Sequence, residues 1–259
     1  MAAAIIGGLC AQDPAAGANI HLAEPIAESR DRLADHYGVQ TFARGAEAIV
    51  GAETIILAVK PQIIPLVTEE IKAALKPNQL LISIAAGISC ARIESLLGIR
   101  AAIVRAMPNT PALIGRGISG LYANNHCQAE QRTRAEDILS VVGKTIWIEE
   151  ESLMDAVTAV SGSGPAYAFF LIEAMRDAGV EAGLDLEIAT TLAANTVAGA
   201  GLLALTDAAD ITALRQRVTS PGGTTAAAMA VLHDENWDKI LQKAVLRARD
   251  RGLQLAEEG

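Results

Sequence analysis

The stretch Val218-Thr219-Ser220-Pro221-Gly222-Gly223-Thr224-Thr225 runs directly into Ala226-Ala227-Ala228-Met229-Ala230, a strongly helix-forming sequence. Pro221 fixes one φ angle, while Gly222 and Gly223 open backbone conformations closed to other residues. Thr224 or Thr225 then supplies an N-cap hydroxyl. Such a turn aims free backbone N–H groups and a helix dipole at one point, the chemistry that attracts a small anion such as a carboxylate. An ordinary capped helix start is the alternative reading of this stretch taken alone.

Other chemistry-bearing residues fall at the ends of apolar runs. Ala58-Val59-Lys60-Pro61 sets a cation just after a strand-like run, where it either meets a dinucleotide or is simply solvated. Glu24 follows an earlier short run, where a carboxylate would accept hydrogen bonds from a ribose 2′-hydroxyl and repel a 2′-phosphate. Asn109, between Pro108 and Pro111, either holds a nicotinamide or closes its own turn. Ser161-Gly162-Ser163-Gly164-Pro165 offers two hydroxyls, with no nearby His or Lys to activate them. His21, His36, His126 and His233 form no metal-ligand pattern, and no metal site is expected. Strand-end dinucleotide features with an anion-gripping turn point to hydride transfer, in which the cofactor performs the chemistry and the protein positions it.

The elements that must position these residues follow an α/β pattern. Residues 1–149 alternate strand-like runs (Ile20–Ala23, Val39–Phe42, Thr54–Val59, Leu80–Ile84, Ala102–Arg105) with helical segments, predicting a Rossmann-type parallel sheet domain. Ligands in such a sheet bind beyond the carboxyl ends of the strands. Residues 150–259 read as helices only, an all-α domain, with a turn expected at Ser161–Pro165 and a helix beginning at Pro165. Small-residue helices such as Leu192–Leu203 suggest burial against a second copy of the chain. At the front, residues 1–11 form a helix with no strand and no G-x-G-x-x-G turn before it. The expectation is that the natural chain begins further upstream.

Composition excludes several classes. The 259 residues carry a net charge of -9, so no basic excess exists to neutralise nucleic-acid phosphates. Cys10, Cys90 and Cys127 are scattered, which fits reduced thiols in a cytoplasmic protein. The run from Leu186 to Leu205 contains Glu187, Asn195 and several threonines, favouring a buried helix over a membrane span. The apolar start has no basic leader, so no signal peptide is expected.

These segments, in this order and spacing, resemble the pyrroline-5-carboxylate reductase family over essentially the whole chain. The resemblance rests on Ala58–Pro61, Ser83–Gly87, Met107–Pro111, Ser161–Tyr167 and Val218–Thr225. It implies a Rossmann domain followed by a helical domain that dimerises by interlocking, often in a larger ring. It implies reduction of the C=N bond of 1-pyrroline-5-carboxylate to L-proline with NADPH or NADH, the last step of proline biosynthesis. By the same resemblance Ala58, Val59, Lys60 and Pro61 line the cofactor, with Ala86 near the nicotinamide side; Met1, Glu24 and Asn109 are the further residues expected at the cofactor. Glu151, Ser220, Gly223, Thr224 and Thr225 hold the substrate by that resemblance; for the reaction itself, Thr225 or water is expected to supply the proton. Two departures stand out: Gly45 replaces a cofactor-contacting Asn of some relatives, and Arg217 replaces an Asn before the substrate turn. A 6-phosphogluconate-type dehydrogenase is disfavoured, because no lysine lies between Lys144 and Lys239. A non-catalytic helical dimerisation module is the alternative from a different class.

Overall fold

The structure is a computed structural model that describes residues 1–258, with side chains through Leu255. The chain divides into two compact units: Met1–Ser163 with the chain from Ala248 onward, and Gly164–Arg247.

The first unit opens with helix α1 (Ala2–Gln12), then β1 (His21–Ala23), α2 (Ala27–Tyr37), β2 (Gln40–Phe42) and α3 (Gly45–Ala48). Strand β3 (Thr54–Leu57), α4 (Ile64–Ile71), β4 (Leu80–Ser83), α5 (Cys90–Leu97) and β5 (Ala102–Met107) complete the alternating pattern. Then come β6 (Gly117–Ala123), α6 (Ala129–Ser140), β7 (Gly143–Trp147) and the short α7 (Met154–Val157). The strands form a five-stranded sheet in the order β3-β4-β5-β6-β7 and a separate β1-β2 pair.

Why this sequence makes a sheet covered on both faces is visible in its alternation. Ile55, Leu57, Leu81 and Ile103 turn to one side, where Ile64 and Ile71 of α4 and Ile93 and Leu97 of α5 meet them. Leu80, Ile82, Ala102, Val104 and Leu121 turn to the other, against Ile5 of α1 and Ala135 and Leu139 of α6. A strand buried on both faces reads as a continuous apolar run, which is why these three strands stand out in the sequence. Gly8 lets α1 lie close to this layer: a Cβ there would come within 2.7 Å of Val141 Cγ2 and 2.9 Å of its carbonyl oxygen. Gly8→Ala is therefore expected to cost about 1–3 kcal/mol by overpacking, read as a lowered denaturant midpoint.

Two expectations are corrected here. The sheet is parallel except that β5 and β6 run antiparallel, with Met107 opposite Gly120. The connection from Met107 to Gly117 is too short for a parallel crossover, and it folds as a 3₁₀ turn, Thr110–Ile114. The interruption expected over Ser161–Pro165 narrows to a bend at Ser163, between a π-helical turn and the helix from Gly164. Thr158–Gly162 forms a π-helical turn, closed by the Ser163 N–H donating to Thr158 O at 2.8 Å. Thr158 and Ser161 hydroxyls each donate to the carbonyl four residues back, at 2.9 Å, which loosens the regular ladder.

The second unit contains α8 (Gly164–Glu181, one residue earlier than expected), α9 (Leu186–Thr206), α10 (Ile211–Arg217) and α11 (Thr224–Asp234). Helix α12 (Trp237–Glu258) begins in it. Helices α8 and α9 pack where Gly179 meets Ala189, so closely that a Cβ added at Gly179 would stand 3.1 Å from the Ala189 Cβ. Only Ala189 and Ala193 of α9 are buried. Phe170 is 72%, Leu192 53% and Leu205 81% exposed, so these helices carry an apolar surface far beyond ordinary scatter. By length and composition alone α9 is apolar enough to cross a membrane.

Candidate active site

Because β3, β4 and β5 are parallel and in register (Leu57 beside Ser83, Ser83 beside Arg105), their carboxyl ends line up along one edge. Three turns gather there. After β3, Ala58 and Val59 are half-buried and Lys60 is exposed, with Pro61 opening a 3₁₀ turn. After β4, Ala86 is exposed and Gly87 takes φ +74, a left-handed conformation that releases the chain into α5. After β5 comes the Pro108–Pro111 turn. The small side chains of Ala58 and Ala86 leave backbone accessible, and Lys60 supplies a cation, so these residues suit a dinucleotide lying across the strand ends.

Asn109 closes its own turn and does more. Its Oδ1 accepts from the Ile118 N–H at 3.0 Å, and its Nδ2 donates to Ser161 O in the π turn at 3.1 Å. Glu24, after β1, is tied locally: its Oε1 accepts from the Ile26 N–H at 3.0 Å. Arg30 Nη1 donates to the carbonyls of Glu24 and Pro25, at 2.8 and 3.0 Å. Met1 is the N-cap residue of α1, and its side chain packs on the core beneath.

A residue that sequence reasoning missed sits at the centre of this edge. Arg105 is only 8% exposed, on β5 among apolar neighbours. Its Nη1 donates to Glu151 Oε1 at 2.9 Å, and the Cys90 backbone N–H at the start of α5 donates to the same oxygen at 2.7 Å. Glu151 thus stands at the strand-end edge, brought there from 46 residues downstream of its arginine. The signal available in the sequence was the arginine itself, since a charge in a buried strand requires a partner.

The surroundings shift neighbouring groups. Burial, reinforced by the Glu151 charge, pushes the Cys90 thiol far up, and burial pushes Cys127 up to about 11. Both are poor nucleophiles in consequence. Burial and the Glu151 charge likewise raise Tyr122. Burial raises the Asp155 carboxyl, with Arg105 opposing and Glu151 adding to the rise. A carboxyl raised in the fold stabilises it while protonated, and that contribution is lost as pH rises above about 4 and through the folded value. Asp155→Asn is expected to raise Tm at neutral pH by about 1–3 °C and to flatten the loss of stability with rising pH, measured by thermal scans.

In the second unit, Gly223 N–H donates to Ser220 O at 3.0 Å, closing a β-turn with Pro221 second and Gly222 third, at φ +70. The N-cap of α11 is Gly223, with no side-chain cap, so neither Thr224 nor Thr225 is the capping residue expected. Glycine takes the extended cap conformation itself and places both threonines in the first helical turn. Their hydroxyls, and that of Ser220, have no partner among the described residues and remain available to a ligand. Arg217, just before the turn, is paired with Asp207 at 2.7 Å.

A mostly parallel sheet covered by helices on both faces, with its small-residue and lysine turns at the strand ends and a helical unit after it, defines a Rossmann-type nicotinamide-dependent oxidoreductase. Residues 1–87 match the family model "NADP oxidoreductase coenzyme F420-dependent", and residues 151–255 match "Pyrroline-5-carboxylate reductase dimerisation". The pyrroline-5-carboxylate reductase of Pseudomonas aeruginosa is 45% identical, covering 100% of this chain and 94% of that one. A solved pyrroline-5-carboxylate reductase from Coxiella burnetii superposes with a TM-score of 0.92 at 38% identity, covering 98% of this chain and 94% of the other. The Plasmodium falciparum pyrroline carboxylate reductase, solved with NADP bound, gives a TM-score of 0.87 at 28% identity over 98% and 94%. The chain belongs to the pyrroline-5-carboxylate reductase family.

Proposed function

We propose that this protein reduces 1-pyrroline-5-carboxylate to L-proline by hydride transfer from NADPH or NADH, the last step of proline biosynthesis. The observation that carries this reading is the whole-length match to reductases of that name, on a fold whose strand ends carry a dinucleotide-type edge. It favours catalysis over a non-catalytic dimerisation module.

The residues divide the work as follows. Ala58, Val59, Lys60, Pro61 and Ala86 line the coenzyme, with Met1, Glu24 and Asn109 attending its ends. When bound, the reduced nicotinamide supplies the hydride. Ser220, Gly223, Thr224 and Thr225 grip the substrate carboxylate through hydroxyls and the N–H groups of the first turn of α11. Glu151 contributes to the substrate site from the strand-end edge. The imine carbon receives the hydride, and the ring nitrogen takes one proton, from the Thr225 hydroxyl or from water, so that C=N becomes CH–NH. Holding both reactants in place accounts for much of the acceleration expected of such an enzyme.

Residues 150–259 form the helical dimerisation and substrate domain in this reading, and the exposed apolar faces of α8 and α9 are covered by a second copy of the chain, as a dimer or within a larger ring. The free thiols of Cys10, Cys90 and Cys127 suit the cytoplasm. Expression in a proline-requiring bacterial strain that lacks its own reductase tests the function: growth without proline supports it, and failure of a well-expressed, folded protein to restore growth refutes it.

A further inference from the structure

We infer that Arg105 is a positioning residue of the reaction, fixing the Glu151 carboxylate at the strand-end edge so that one oxygen is committed to the protein and the other faces substrate. The inference rests on the proposed reading of Glu151 as a substrate residue, and deepens it.

An arginine on an inner strand is costly to bury. Removing the charge from water is offset only when its partner is well placed and hydrogen-bonded. Arg105 lies at the register level of Ser83, the last residue of β4, so its guanidinium reaches the carboxyl edge and not the middle of the sheet. Its partner comes from a distant segment, the 3₁₀ turn Glu151–Leu153 that precedes α7. An ion pair needed only for stability could be replaced by apolar residues of similar volume with little loss. This one is arranged asymmetrically. Oε1 of Glu151 takes both the Arg105 donor at 2.9 Å and the Cys90 N–H at 2.7 Å, while Oε2 has no partner among the described residues. The Glu151 side chain keeps 24% of its surface exposed, against 10% for Arg105.

Two donors on one oxygen fix the plane and the reach of the carboxylate, and the second oxygen is left with its lone pairs for a ligand hydrogen-bond donor. The product's ring nitrogen carries N–H bonds, and a protonated imine carries one together with a positive charge. Either is the kind of group a held carboxylate recognises, and the charged form is also the better hydride acceptor. Without Arg105 the carboxylate would keep a single tether, the Cys90 N–H, and its free oxygen would no longer be held in one place.

The test compares Arg105→Gln, Arg105→Lys, Glu151→Gln and the Arg105→Gln/Glu151→Gln double variant in the full chain. Readouts are KM and kcat for pyrroline-5-carboxylate, and reduced-coenzyme affinity by fluorescence titration. The two single glutamine variants should each lower kcat/KM about 10- to 100-fold, the range of a lost charge-assisted hydrogen bond. The double variant should be no worse than about twofold below the poorer single, because both act through one carboxylate. Coenzyme affinity should stay within about twofold of wild type, and Arg105→Lys should recover part of the loss. Multiplicative losses in the double variant, or coenzyme affinity falling in step with kcat/KM, overturn the inference. Where Arg105→Gln yields no folded protein, Arg105→Lys decides: a raised KM with unchanged coenzyme affinity supports it, and an unchanged KM overturns it. A folded wild-type protein that binds coenzyme and reduces no pyrroline-5-carboxylate removes both the functional reading and this inference.

Discussion

Replacing Leu192 with arginine is expected to abolish self-association and, with it, nearly all activity. Leu192 lies on α9, which buries only Ala189 and Ala193 within its own chain, and it is 53% exposed there. Its helix also exposes Leu202, Leu203 and Leu205. In the proposed reading, a helical unit with so little core of its own gains its stability by burying these side chains against another copy. Each covered leucine contributes about 1.5–3 kcal/mol, and a two-fold interface counts each substitution twice. An arginine in that face forfeits this and strands a charge without a partner, a combined penalty of several kcal/mol per site. That corresponds to at least a thousandfold weaker association at about 1.4 kcal/mol per decade. Sedimentation velocity across a concentration series reads the effect. A variant that remains fully associated and active would show that α9 is covered by something other than a second copy.

Thr225→Ala should lower kcat/KM for pyrroline-5-carboxylate about 10- to 100-fold, leaving coenzyme affinity unchanged. The hydroxyl has no partner within the described residues and stands in the first turn of α11, behind a turn fixed by Pro221 and by Gly222 at φ +70. Losing one hydrogen bond to a charged carboxylate removes about 1.5–3 kcal/mol, which sets that range. Thr225→Ser should retain most of the activity, since the donor survives. If the loss falls on KM alone, the hydroxyl binds substrate equally in ground and transition states; a fall in kcat shows that it acts only in the transition state, as a proton donor would. Kinetics of Thr225→Ala indistinguishable from wild type would remove the turn from the site.

Much of this was legible in the sequence, for physical reasons. Strands β3, β4 and β5 declare themselves because burial on both faces demands unbroken apolar runs such as Thr54–Val59. Strands β6 and β7 do not. Gly117–Ala123 carries two glycines and a serine, and in Gly143–Trp147 half-buried and exposed residues alternate. The π turn at Thr158–Gly162 was hidden because Ser-Gly-Ser-Gly-Pro has the composition of a turn, while its geometry depends on Asn109 and Met107 lying against it. Asn109 donates to the Ser161 carbonyl, and Met107 Cε fills the space where a Cβ on Gly162 would stand, 2.6 Å away. Thr224 and Thr225 looked like caps, because threonine is a good one; Gly223 took the position instead and freed both hydroxyls. Arg105 and Glu151, separated by 46 positions, could be paired only by folding β5 against the segment that precedes α7.

Hydride transfer from the reduced coenzyme to the imine carbon of pyrroline-5-carboxylate must yield proline in step with coenzyme oxidation. Purified protein, mixed with that substrate and NADPH or NADH, tests it most directly through paired measurement of coenzyme oxidation and proline formation. One proline is expected for each reduced coenzyme consumed, with kcat/KM lowered about 10- to 100-fold in Thr225→Ala. A folded, associated protein that binds the coenzyme yet forms no proline with either nucleotide would contradict it.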